Sequence, residues 1–250
     1  MYNIEAIETF KEYFRDYNDC YIVIGGTACA LIFEEKGLNF RSTKDIDAVL
    51  VGQKISKEFI KRFWEFIKAG EYEIYSRGDD ETYYYRFLKP KNQEQFPAMI
   101  ELFARSQDGI ELPDGCMYTA IATEDEYIRS LSAILLNEDY YNFLIEGKII
   151  KNDISILDAA YIIPLKIRAH LDLTEKHNKG EHVNERDLKK HYSDVFLLVY
   201  AFSSEVQIKV TELIYDDIKK FIDWIDETEI EIDGDKKDEL KRLILSRYCI

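Results

Sequence analysis

The stretch Tyr21-Ile22-Val23-Ile24-Gly25-Gly26-Thr27, followed by Arg41-Ser42-Thr43-Lys44-Asp45-Ile46-Asp47, decides how this chain is read. Four apolar residues make a buried strand that breaks at paired glycines and runs into Thr27-Ala28-Cys29-Ala30-Leu31, a helical start with Thr27 as its expected cap. A glycine turn feeding a helix N-terminus offers bare backbone N–H groups and the positive end of the helix dipole, both of which favour an anionic phosphate. In the second stretch Asp45 and Asp47 alternate with Ile46 and lead into Ala48-Val49-Leu50-Val51, so on a strand both carboxylates project from one face. Two carboxylates so placed can share divalent cations. Taken singly, Gly-Gly after a strand is more often a plain turn, and Asp-x-Asp a solvated strand end. Their order makes them specific, together with a third acidic residue on a later strand.

That third residue is Glu101. Pro97-Ala98-Met99-Ile100-Glu101-Leu102-Phe103 has β character, and Glu101 shares a strand face with Met99 and Phe103. One carboxylate on an otherwise apolar face is ion-paired, metal-bound or at the sheet edge. Arg86, on the preceding strand-like run Thr82 to Leu88, is the ion-pair alternative. As a ligand, Glu101 would join Asp45 and Asp47 within shared-metal distance. The three carboxylates would then hold two Mg²⁺ (or Mn²⁺) ions for an in-line phosphoryl displacement.

These segments resemble the DNA polymerase β-like nucleotidyltransferase superfamily, and within it the AbiEii-type bacterial nucleotidyltransferases. The likeness rests on Gly25, Gly26 and Thr27, on Arg41-x-Thr43-x-Asp45-x-Asp47, and on Glu101. It extends to Leu165-Lys166-Ile167-Arg168-Ala169 and to Asp187-Leu188-Lys189-Lys190-His191-Tyr192-Ser193-Asp194, which look like that group's C-terminal nucleotide-binding motifs. The resemblance implies an α+β fold: an N-terminal nucleotidyltransferase-fold mixed β-sheet with helices over residues 1–122, and a C-terminal helical domain over 123–250 that closes on the nucleotide. It also implies a Mg-dependent enzyme that transfers NMP from an NTP to an acceptor hydroxyl. Asp45, Asp47 and Glu101 would be catalytic and metal-binding, and Gly25, Gly26, Thr27, Lys166, Lys190 and Asp194 nucleotide-binding. As acceptor the resemblance implies the 3′ end of a tRNA or a protein side chain, and as setting a toxin-antitoxin or phage-defence system with a cognate antitoxin. Two rivals stay open: a non-catalytic nucleotide-binding protein on the same fold, and a small-molecule, aminoglycoside-type nucleotidyltransferase.

The composition sets outer bounds. With 250 residues, 46% of them hydrophobic, the chain can build one large core or two modest ones. No apolar run reaches the roughly 20 residues that span a bilayer, so no membrane partner is expected, and the four cysteines lack metal-ligand spacing. A cytoplasmic, reduced protein is the simplest expectation. A net charge of −15 argues against broad binding to nucleic acid, whose affinity comes from many Lys and Arg contacts to phosphates. The most basic stretch, Lys166 to Lys190, suits a triphosphate better than a long duplex.

Periodicity fills in the elements. Helices are expected over 4–14, 27–35, 56–69 with Ser56 as cap, about 158–176, and from an Asn184 cap onward. Strands are expected over 21–24, 45–51, 72–76, 82–88 and 98–104, with 152–157 a short extended segment. Thr123-Glu124-Asp125-Glu126 reads as a capping box that opens the helical part. Lys and Asp residues at helical spacing there are, without the resemblance, ordinary surface ion pairs of small value. Lys166 read as a charge poised for a ligand would contribute little to the stability of the ligand-free fold, and His191 reads as a structural histidine.

Overall fold

The computed structural model describes residues 3–38, 40–78, 82–105, 134–135, 137–201, 207–230 and 234–250. The capping box at Thr123, most of the helix expected after it, and Cys116 lie outside these. The chain is α+β and divides into two compact units, one of residues 1–123 with 148–158 and the other of 124–147 with 159–250. The return of residues 148–158 to the first unit is absent from the sequence division at 122/123.

The first unit is a mixed sheet with helices. Its elements are α1 (Ile4–Phe14), β1 (Tyr21–Ile24), α2 (Gly25–Glu35), β2 (Asp45–Leu50), α3 (Lys57–Gly70), β3 (Glu73–Gly78), β4 (Thr82–Leu88), β5 (Met99–Arg105), β6 (Lys148–Lys151) and β7 (Ile154–Leu157). The strands form one seven-stranded sheet in the order β3-β4-β5-β2-β1-β7-β6. β2 runs antiparallel to β1 and parallel to β5, while β7 runs parallel to β1.

One face is covered by aromatic side chains from α1 and α3. Phe10 lies 5.5 Å from Tyr21 and Phe63 lies 5.3 Å from Phe87, in edge-to-face arrangements that suit the ring quadrupoles. The apolar spacing of these helices feeds this layer, and Ser56 starts α3 by accepting a hydrogen bond from the Phe59 N–H. Because side chains alternate along a strand, Asp45, Asp47 and Glu101 occupy the other face.

The β6–β7 hairpin corrects the expectation of a single extended segment there. Asn152 and Asp153, with φ of 47° and 63°, form its two-residue loop, and Lys151 pairs with Ile154. Two consecutive left-handed residues match the twist of a tight hairpin, and Asn and Asp tolerate that conformation better than most.

The second unit is mainly helical, with α4 (Glu138–Glu146), α5 (Ala159–Asn178), α6 (Glu185–Val199), α7 (Glu212–Glu227) and α8 (Gly234–Arg247), and a minimal ladder of β8 (Ile208–Lys209) with β9 (Tyr248–Cys249). Asn184 caps α6 as its sequence suggests, accepting from the Arg186 N–H. Buried Asp217 of α7 accepts a 2.8 Å hydrogen bond from Tyr140 of α4 and pairs at 3.2 Å with Arg168 of α5, so one carboxylate ties three helices together. No helix among the described residues is long and apolar enough to cross a membrane.

Candidate functional site

A row of paired residues crosses the first unit's sheet. Ile24 of β1 pairs with Asp47 of β2, Asp47 with Glu101 of β5, and Glu101 with Arg86 of β4. Residues directly opposite one another share a face, so Asp47, Glu101 and Arg86 stand side by side. Asp45 sits two residues back on the same strand face, opposite Met99. Asp45 and Asp47 are half-buried, whereas Glu101 is 2% exposed.

The glycine turn abuts this row. Gly25 has φ of 67°, a conformation that L side chains rarely adopt, and a Cβ placed on it would fall inside the van der Waals shell of Asp47 Oδ2. Gly26 is hemmed in by the Arg41–Thr43 segment, since a Cβ there would lie 3.0 Å from Thr43 Oγ1 and 3.4 Å from Arg41 Nη2. Each glycine therefore permits close approach of one part of the second sequence motif. Thr27 differs from its expected role as a cap. The helix already starts at Gly25, and the Thr27 hydroxyl donates to the Asp45 carbonyl, tying α2 to the start of β2.

Glu101 is engaged by Arg86. Both Nε and Nη2 of the guanidinium meet Glu101 Oε1, at 2.8 Å and 2.5 Å. Among the described residues, no group of three or more His, Cys, Asp or Glu side chains is arranged to hold a metal ion. The strand register thus brings Asp47 and Glu101 together on one face with Asp45 beside them, while the Glu101 carboxylate is turned to an arginine. Carboxylate oxygens are the donors that hard divalent cations prefer, and Asp47 Oδ2 lies against the bare Cα of Gly25, in space that any Cβ would need. Arg86 already supplies the positive charge beside Glu101 that a cation would otherwise supply.

The second unit holds the other sequence candidates. Lys166 of α5 and Asp194 of α6 form an ion pair at 2.9 Å, with side chains 6% and 1% exposed. This is a buried bridge between two helices and not a solvated surface pair. Lys190 is half-buried on α6, and Lys189 is exposed. His191 is fully buried, and its pKa is held well below the ordinary histidine value by burial and then by the charges of Lys166 and Lys190. His170 of α5 was not singled out from the sequence. Burial pushes its pKa down to about 4, and its ring lies 4.1 Å from that of Trp224. The only sequence signal for it is its place on the apolar stripe of α5, which marks burial without marking chemistry.

No family model and no curated protein matches the chain. Two solved structures are similar to it over nearly the whole length. One, described as "putative nucleotidyltransferase from H. pylori", is 15% identical with a TM-score of 0.45, over 97% of this chain and 93% of that one. The other, JHP933 from Helicobacter pylori, is 13% identical with a TM-score of 0.41, over 97% of this chain and 90% of that one.

Proposed function

We propose that the chain is a metal-dependent nucleotidyltransferase whose site is the Gly25–Thr27 turn with Asp45, Asp47 and Glu101. The observation that carries this reading is the placement of Asp47, packed against Gly25 on one side and in register with Glu101 on the other. A phosphate chain laid on the α2 N-terminus meets N–H groups that have no partner within the helix. In the same place Asp45 and Asp47 would hold the cation, and Thr27 fixes the strand that carries them. Bound Mg²⁺ or Mn²⁺ supplies polarisation of the α-phosphate and stabilisation of the attacking and leaving oxygens. The oxygen of an acceptor hydroxyl forms a new O–P bond at the α-phosphorus, its proton passing to solvent, as the bond to the β-phosphate oxygen breaks and pyrophosphate leaves.

The AbiEii-type resemblance supports a finer form of the proposal. NMP passes to a tRNA 3′ end or a protein side chain, in a cytoplasmic toxin that a cognate antitoxin restrains. The resemblance implies a nucleotide-binding role for Lys166, Lys190 and Asp194 as well; within the second unit, Lys166 and Asp194 join α5 to α6 and Lys190 is half-buried on α6.

One observation favours a second reading, a nucleotide-binding protein without turnover: Glu101 is closed on Arg86. Incubation with each of the four α-labelled NTPs, Mg²⁺, total RNA and total protein separates the two. The enzyme labels one acceptor class and releases pyrophosphate. NTP-induced thermal stabilisation with no labelled product in either fraction would establish the binding module instead.

A further inference from the structure

The row that carries Glu101 also carries a cation of its own. Arg86 faces Glu101 from β4 and Asp47 flanks it from β2, so the sheet presents guanidinium, carboxylate and carboxylate on adjacent strands. Arg86 directs two nitrogens, Nε and Nη2, at Glu101 Oε1. The Glu101 side chain is 3% exposed and that of Arg86 16%, so solvent does little to screen the pair.

We propose that Arg86 is a positioning residue that stands in for a divalent cation at Glu101, and that cation binding at Asp45 and Asp47 draws Glu101 off it. The guanidinium thereby sets the metal affinity of the site. This rests on the reading of Asp45, Asp47 and Glu101 as a cation site. A carboxylate this deeply buried needs positive charge beside it, and two sources compete for the position, since a divalent ion repels the guanidinium as it attracts Glu101. In the wild type, a cation must bind a carboxylate whose charge Arg86 already offsets. Where Arg86 is replaced by a neutral side chain, metal binding instead relieves a buried charge.

The test is a Mn²⁺ titration of the full chain, read by the loss of the free Mn²⁺ resonance signal, with thermal melts in parallel. The proteins are wild type, R86Q, R86K, the double variant R86Q/E101Q, and D47N. R86Q is expected to bind Mn²⁺ about tenfold more tightly, the scale on which one neighbouring opposite charge shifts a carboxylate's affinity for a proton. Its melting temperature should rise with Mn²⁺ by more than that of wild type. The gain should vanish in R86Q/E101Q, while R86K, which keeps the charge but loses the two-nitrogen grip, should fall between. Mn²⁺ binding that D47N abolishes, combined with an R86Q and R86K no tighter than wild type, would overturn the role of Arg86 alone. Absence of any D47N-sensitive binding would overturn the cation site and this proposal with it. If R86Q and R86K both fail to fold even with Mn²⁺ while R86Q/E101Q folds, the pair is purely structural and the proposal falls.

Discussion

Gly25 is constrained twice, by its left-handed backbone and by the carboxylate against it. Gly25→Ala should therefore destabilise the first unit by roughly 1–3 kcal/mol and push Asp47 aside, a combined effect checked by urea unfolding and by Mn²⁺ binding. Asp45→Ala with Asp47→Ala should abolish nucleotide transfer while leaving the melting temperature unchanged or raised, because removing neighbouring like charges relieves repulsion. A folded double variant that still labels its acceptor would sink the chemistry proposed for this site. Lys166 follows a different rule from one poised for a ligand. Lys166→Ala removes the cation 2.9 Å from the buried Asp194 carboxylate and should cost about 3–5 kcal/mol, measured by urea unfolding. Lys166→Met with Asp194→Leu should recover most of that loss, because a buried pair replaced whole by apolar groups leaves no orphaned charge.

At the scale of elements, α5 and α6 bury two histidines that are neutral when folded. The pKa of His170 is about 4 in the fold against an ordinary value near 6.5, so below pH ~6.5 the unfolded chain takes up a proton that the fold refuses. Stability of the helical unit should be fully present above that pH and fall between pH ~6.5 and ~4, on the order of 3 kcal/mol from this residue, with His191 adding in the same direction. Urea unfolding followed by Trp224 fluorescence at pH 7 and pH 5 measures the slope, and His170→Gln should flatten it. Elements with a strong local pattern were legible in the sequence: Ser56 and Asn184 cap the helices that follow them, and Asp45 and Asp47 share a strand face. The hairpin of β6 and β7 was not, although Asn152-Asp153 carries a turn signal. Ile154–Leu157 is buried throughout and shows no alternation, and its pairing with β1 is too distant in sequence to leave a local trace. Arg86 and Glu101 were legible as possible partners. Their closure was not, because either an arginine or a metal satisfies a buried carboxylate, and the sequence contains both chemistries.

On the scale of the whole molecule, the first unit is assembled from two separate stretches of chain. A fragment ending at residue 122 lacks β7 and leaves one side of β1 unpaired. It should aggregate or bind β-strand dyes, whereas the full chain should remain monodisperse in light scattering. That discontinuity also sets an order of events during synthesis. Val23 leaves the ribosome early, yet its parallel neighbour Ile156 arrives only after α4 has been made, so β1, an interior strand of the sheet, waits half-open while most of the first unit is already available to fold. The strand that ends at the glycine turn thereby gains its second neighbour only once the chain is well past its midpoint, a built-in delay in completing the sheet of a nascent copy.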